Sequence, residues 1–329
     1  MKTKKPVIIV LGEPNSIFIE ILTKVLKKKN IHSKTNYPII LIGSYKLFKL
    51  QLKILNLKLN LKIIDYRNLN FKKLRNELYL INVNYKFKKP FEKISTNSKD
   101  YISKSFKIGL DFMNNGSSNI FINGPISKKH FLKKNYPGIT EFVYDKAKQK
   151  IAKNPVMLIF NKKLSVSPLT THIALNNVKK NIVKDRIIEN VNIINNFYKK
   201  ILKIKPNIAV LGLNPHCENN SKDNEEKKAI IPAINQLKKK RIKVHGPFSA
   251  DTLFIKNNLK KFNVVIGMYH DQVITPFKTI FEFDASNITL GLPFLRISVD
   301  HGPNEIMMGK NKSNTKSLEN IFSFINSTG

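Results

Sequence analysis

Short runs of Val, Ile and Leu without alternation recur along the chain, and most are followed by apolar residues at helical spacing. PVIIVLG, YPIILIGS and LKIID predict strands; SIFIEILTKVLKKK and YKLFKLQLKIL predict amphipathic helices between them. NIFINGPISKKHF, 119–131, predicts strand, turn and helix. KLSVSPLTTH leads into a predicted long helix from Asn176 to about Lys203, with Val178, Ile182, Ile188, Val191 and Ile194 near its apolar stripe. NIAVLGLNPH, RIKVHGPF and NVVIGMYH predict further strands, with DNEEKKAIIPAINQLKKK and ADTLFIKNNLKKF as the helices that alternate with them. The pattern assigns nothing to 66–90, and the tail after Lys310 reads as a last helix. Strands that are apolar on both faces lie in mainly parallel sheets covered by helices, so the fold class is α/β.

Composition adds size and charge. The chain has 329 residues, enough for two domains, and its 58 Lys+Arg against 22 Asp+Glu give a net charge of +36. The excess is mostly Lys, scattered and mixed with many Asn and Ile, as an AT-rich coding bias would produce. Aromatic residues do not interleave with it in a stacking pattern and no nucleic-acid motif is present, so the reading disfavours a nucleic-acid partner while still expecting attraction for phosphorylated small molecules. The single cysteine, Cys217, excludes an intrachain disulfide and fits a reducing cytosol. The apolar stretch Val7–Leu11 is too short for a signal peptide and no run approaches membrane-spanning length, so a cytoplasmic protein is expected.

The candidate chemistry lies where strands end. His172 closes SPLTTH, His216 closes VLGLNPH and His270 closes VVIGMYH. The carboxyl edge of a parallel sheet is where ligands bind. Three neutral imidazoles from separate loops can hold a divalent ion while leaving its charge intact and positions open for substrate oxygens. Cys217, next to His216, reads as incidental. Lys278 follows His270 by eight residues, and Asn287 and Arg296 flank ITLGLPF; Lys and Arg suit phosphate or carboxylate. Asp251 stands at a predicted helix start, where capping is the plainer explanation. SVDHGPNE, 298–305, is a further polar loop after a strand. No G-x-G-x-x-G follows the first strand, so any dinucleotide is held differently.

GPISK, TTHIAL, GLNPHCEN, GPFSADTLF, MYHDQ and NITLGLPFLRISVDHG, in this order, resemble the 4-hydroxythreonine-4-phosphate dehydrogenase family of pyridoxal phosphate biosynthesis. The resemblance implies two α/β/α domains related to isocitrate and isopropylmalate dehydrogenases, with the active-site cleft between them. The first domain is expected over 1–130 plus about 285–329, and the second, with the metal ligands and dimer contacts, over 131–284. It implies a homodimer whose metal site is completed across subunits, with His172, His216 and His270 as ligands of Zn, Mg or Co. Thr140, Lys278, Asn287 and Arg296 would contact a small phosphorylated substrate. NAD or NADP would be bound without a Rossmann fingerprint, and the Asp300–Glu305 loop is the candidate for it. The implied reaction is oxidation and decarboxylation of 4-phosphooxy-L-threonine, with Asp251 and Asp271 as candidate bases. The chain departs from the family pattern at Ile139, where a histidine is usual, and in the first loop, GEPNSIFIE, which lacks the usual glycines. A paralogue that oxidises threonate or erythronate 4-phosphate, or a metal hydrolase using the same histidines without NAD, is the alternative.

Overall fold

The computed structural model describes residues 5–28, 36–132, 135–217 and 224–328. Lys29 of the first predicted helix and the end of GLNPHCEN, Glu218 and Asn219, lie outside them. The chain forms two compact units, 1–150 with 292–329, and 151–291. In chain order the first unit has β1 (Val7–Val10), α1 (Phe18–Lys27), β2 (Ile39–Gly43), α2 (Tyr45–Ile54), β3 (Lys62–Ile64), β4 (Leu78–Asn82), α3 (Lys99–Asn114), β5 (Ile120–Asn123) and α4 (Ile139–Lys146). The second has β6 (Val156–Phe160), β7 (Ser165–Pro168), α5 (Lys184–Phe197), β8 (Ile208–Leu211), α6 (Ile231–Lys239), β9 (Val244–Phe248), α7 (Ala250–Leu253), α8 (Lys256–Leu259), β10 (Val264–Gly267), α9 (His270–Phe281) and β11 (Ser286–Leu290). The chain then returns to the first unit with β12 (Leu295–Ser298) and α10 (Lys316–Thr328).

In the first unit the strands run β3-β4-β2-β1-β5-β12, every pair parallel. Val7 to Val10 and Ile39 to Gly43 are buried throughout, which is why their runs do not alternate. In the second unit the order is β11-β6-β7-β10-β8-β9. The β7-β10-β8-β9 stretch is parallel, while β6 pairs antiparallel with both β7 and β11. For β6 and β7 the reason lies in the short connection from Phe160 to Ser165, closed by the Asn161 N–H on the Leu164 carbonyl at 3.2 Å; so few residues can only form a hairpin.

The long helix expected from Asn176 is shorter. Residues 175–177 and 179–181 form single 3₁₀ turns and α5 begins at Lys184. Asn-rich segments bond their own backbone, as Asn181 Nδ2 does to the Asn177 carbonyl at 2.8 Å, and so compete with the helix. Val178 and Ile182 are buried regardless, together with Ile188, Val191 and Ile194. ADTLFIKNNLKKF likewise splits into α7 and α8 at an extended Ile255. Among the described residues no helix is long and apolar enough to cross a membrane.

The first loop, after β1, buries a carboxylate. Glu13 is 1 % exposed, and burial pushes its pKa up to about 7 despite the Asn15 N–H and Ser98 hydroxyl that it accepts; Glu305 pushes in the same direction. The folded chain therefore holds a proton there between about 4.5 and about 7 that the unfolded chain releases. Stability is lost as pH rises through that window and levels off above it. Glu13→Gln is expected to match the wild type at pH 4 and to be more stable by about 1–3 kcal/mol at pH 8. Thermal melts of both proteins at the two pH values check this; equal melting temperatures at pH 8 would refute the assignment.

Candidate active site

Three adjacent parallel strands of the second unit, β7, β10 and β8, are followed within three to five residues by the three histidines. Each strand stops where its apolar run gives way to polar residues, so the histidines share one sheet edge. The rings of His172 and His270 lie 5.9 Å apart, tilted by 37°. Two imidazoles bound at about 2.1 Å to one ion hold their centres roughly 5–6 Å apart, so this pair fits two positions of a divalent site. His216 follows β8 on a left-handed turn with φ of 54°. Among the described residues of one chain, no group of three or more His, Cys, Asp or Glu side chains is gathered closely enough to hold an ion.

Each candidate acid is coupled to one of these histidines. Asp271 Oδ1 lies 2.7 Å from His270 Nδ1. With the proton on Nδ1, this bond turns the Nε2 lone pair outward as a metal donor. Asp251 sits at the start of α7, and its carboxyl is held below the usual range by the Ser249 hydroxyl, by the Thr252 N–H and by the field of His216. Cys217 Sγ packs so closely on Gly212 that an added Cβ there would come within 2.8 Å of it.

The four candidate substrate residues fall in two groups. In the second unit, Lys278 on α9 places Nζ 5.9 Å from the Phe283 ring centre. Asn287 on β11 is half-buried, and its Oδ1 is sealed from solvent with no hydrogen-bond donor among the described residues. A buried acceptor of this kind fits a ligand donor. In the first unit, Arg296 on β12 is 0 % exposed. Its Nε donates to Asn123 Oδ1 at 2.9 Å and its Nη1 to Thr140 Oγ1 at 3.2 Å. Burial pulls its pKa down to about 9, against the attraction of Glu141. Thr140 and Arg296 are thus brought together, although 156 residues separate them.

The Asp300–Glu305 loop is tied to the first loop and its neighbours. The Pro303 carbonyl accepts the Ile17 N–H at 3.1 Å, and Glu305 Oε2 accepts the Ile94 N–H at 3.3 Å. At Gly302 the surface is open, since an added Cβ would meet nothing within 4 Å.

Reading by residue type missed Asn123, Glu141 and Gln272. Asn123 ends a strand in INGP and Gln272 follows the His-Asp pair in MYHDQ, which were the only signals. Glu226, in a charged run, carried none.

Residues 34–324 match the family model for pyridoxal phosphate biosynthetic protein PdxA. The chain is 36 % identical over 310 residues to a 4-hydroxythreonine-4-phosphate dehydrogenase of Sulfurihydrogenibium sp., covering 92 % of each chain. It is 31 % identical over 304 residues to the D-threonate 4-phosphate dehydrogenase of Salmonella typhimurium, covering 91 % of each. The crystal structure of a 4-hydroxythreonine-4-phosphate dehydrogenase from Klebsiella pneumoniae superposes with a TM-score of 0.78 at 25 % identity, over 98 % of both chains.

Proposed function

The chain belongs to the PdxA family of pyridoxal phosphate biosynthesis and is an oxidoreductase, and from that premise we propose that it oxidises and decarboxylates 4-phosphooxy-L-threonine to 3-amino-2-oxopropyl phosphate with NAD and a divalent ion. The observation that supports this reading is the set of histidines just beyond the ends of β7, β10 and β8, with the rings of His172 and His270 5.9 Å apart, a separation compatible with one shared ion.

His172 and His270 would hold the ion, and His216 would complete the set across a homodimer interface. When bound, the divalent ion supplies positive charge against the oxygen that ionises, and NAD, over the Asp300–Glu305 loop, supplies the hydride acceptor. The protein does the rest. Asp271 orients the His270 ring and keeps its donor nitrogen outward. Asp251 is engaged by the Ser249 hydroxyl and the Thr252 N–H at the start of α7. We assign the alcohol proton to Asp271, which is exposed in the first turn of α9 beside His270. Lys278 neutralises phosphate or carboxylate. Asn287 Oδ1 accepts from the substrate ammonium or a hydroxyl. Arg296 and Thr140, both buried and bonded to each other, would back the substrate pocket rather than form its exposed wall.

Ile139 favours a second reading. It precedes Thr140 and packs against the apolar core of the first unit, where a histidine would offer a polar contact. D-threonate 4-phosphate carries a hydroxyl in place of the ammonium, and Asn287 can accept from either. The test is to supply the purified chain with 4-phosphooxy-L-threonine, D-threonate 4-phosphate or erythronate 4-phosphate, NAD and a panel of divalent ions, and to follow NADH and CO2 together. Metal-dependent NADH with the first substrate supports the main reading, and with only the second or third it supports the paralogue. No NADH from any of them, or phosphate release without NAD, would overturn the dehydrogenase mechanism for this site.

A further inference from the structure

We infer that Gln272 and Thr170 are positioning residues that lock the three histidine loops into one frame. The inference rests on the reading above, that these histidines hold a divalent ion. The parallel ladders end at Gly267 with Pro168 and at Ile266 with Val210. Beyond them the loops must be tied by something else, because each leaves its sheet before its histidine is reached.

The ties converge on one residue, Met268, which is fully buried two positions before His270. On the β7 side its carbonyl accepts the Thr170 hydroxyl at 2.7 Å and the Thr170 N–H at 3.2 Å, and the Leu169 N–H meets the Gly267 carbonyl at 2.7 Å. His172 lies two residues beyond Thr170. On the β8 side the Met268 N–H donates to Gln272 Oε1 at 2.7 Å, and Gln272 Nε2 donates to the Gly212 carbonyl at 2.8 Å. His216 lies four residues beyond Gly212. One side-chain amide thus accepts from the His270 loop and donates to the His216 loop. No carboxylate or apolar side chain can do both.

The surroundings keep this bridge in place. At Gly267 an added Cβ would come within 3.0 Å of Gln272 Oε1 and 2.5 Å of Val273. The Gly212 N–H is itself fixed on the Phe248 carbonyl at 2.9 Å. The turn that follows is held by Glu226, 1 % exposed, whose Oε1 accepts the N–H groups of Leu213 at 2.8 Å and Asn214 at 2.9 Å. Its Oε2 accepts Asn214 Nδ2 at 2.9 Å. Groups that orient ligands without touching the metal commonly set affinity by 10- to 100-fold.

The test is a titration of the full chain with Co²⁺, followed by calorimetry and by the visible absorption of the bound ion. The wild type is compared with Gln272→Met, Thr170→Val and His270→Ala. Gln272→Met removes both bonds at similar volume, and Thr170→Val removes the hydroxyl bond while leaving the backbone pair. Each is expected to weaken Co²⁺ binding by about 10- to 100-fold and to change the absorption band, while His270→Ala abolishes binding. Wild-type affinity and spectrum in Gln272→Met, with His270→Ala defective, would overturn the bracing and leave the metal site standing. Wild-type binding by His270→Ala would instead remove the metal reading itself. Should Gln272→Met fail to fold, by circular dichroism, Thr170→Val carries the same comparison.

Discussion

Replacing His270 by alanine is expected to lower kcat/KM for the oxidised substrate by about 10²- to 10³-fold or more, the range for losing one fixed source of charge stabilisation. The expectation follows from position. His270 follows the strand between those that precede His172 and His216, its ring is 5.9 Å from that of His172, and Asp271 fixes its orientation. Alanine removes a donor from the ion and an anchor for Asp271 together. His172→Ala and His216→Ala should fall by similar factors, because three donors that hold one ion act as a unit rather than additively. Steady-state kinetics at saturating NAD reads the effect, with chelated wild type as the reference. Normal turnover in any one variant would remove that histidine from the metal shell.

Arg296→Met should destabilise the chain by about 3–5 kcal/mol, as breaking a buried charged cluster does. The guanidinium is 0 % exposed and satisfies Asn123 Oδ1 and Thr140 Oγ1. Methionine fills much of the volume but leaves both oxygens short of a donor and Glu141 short of the positive charge that faces it. Arg296→Lys keeps the charge as a point source and cannot reach both oxygens in a fixed fork, so it should recover only part of the loss. Urea unfolding at pH 7 measures both variants. A methionine variant within about 0.5 kcal/mol of wild type, the usual scatter for surface sites, would contradict the structural role assigned here.

Much of this fold was legible because its strands are apolar on both faces. PVIIVLG and NVVIGMYH could be nothing but buried strands, and once they were placed, His172, His216 and His270 fell at their ends. The order β7-β10-β8, which makes those ends neighbours, was not legible, since strand order depends on packing between distant segments. Nor was the Thr140–Arg296 contact, made across 156 residues. Arg296 stood out only as an arginine in a lysine-rich chain; its burial depends on Asn123, 173 residues away. Periodicity misled at Asn176–Lys203, where Val178 and Ile182 are buried as a helix would bury them but flank two single 3₁₀ turns. The Gln272 and Glu226 contacts were hidden because an amide or carboxylate in a polar run looks like surface until its partners are known.

The central claim is that three imidazoles grip one divalent ion at the sheet edge. X-ray absorption at the metal edge of the Zn²⁺-loaded chain measures this directly, because imidazole rings give a distinct multiple-scattering pattern. The account predicts three nitrogen donors from imidazole at about 2.0–2.1 Å, with oxygen completing the shell. Fewer than three imidazoles per bound zinc would contradict it.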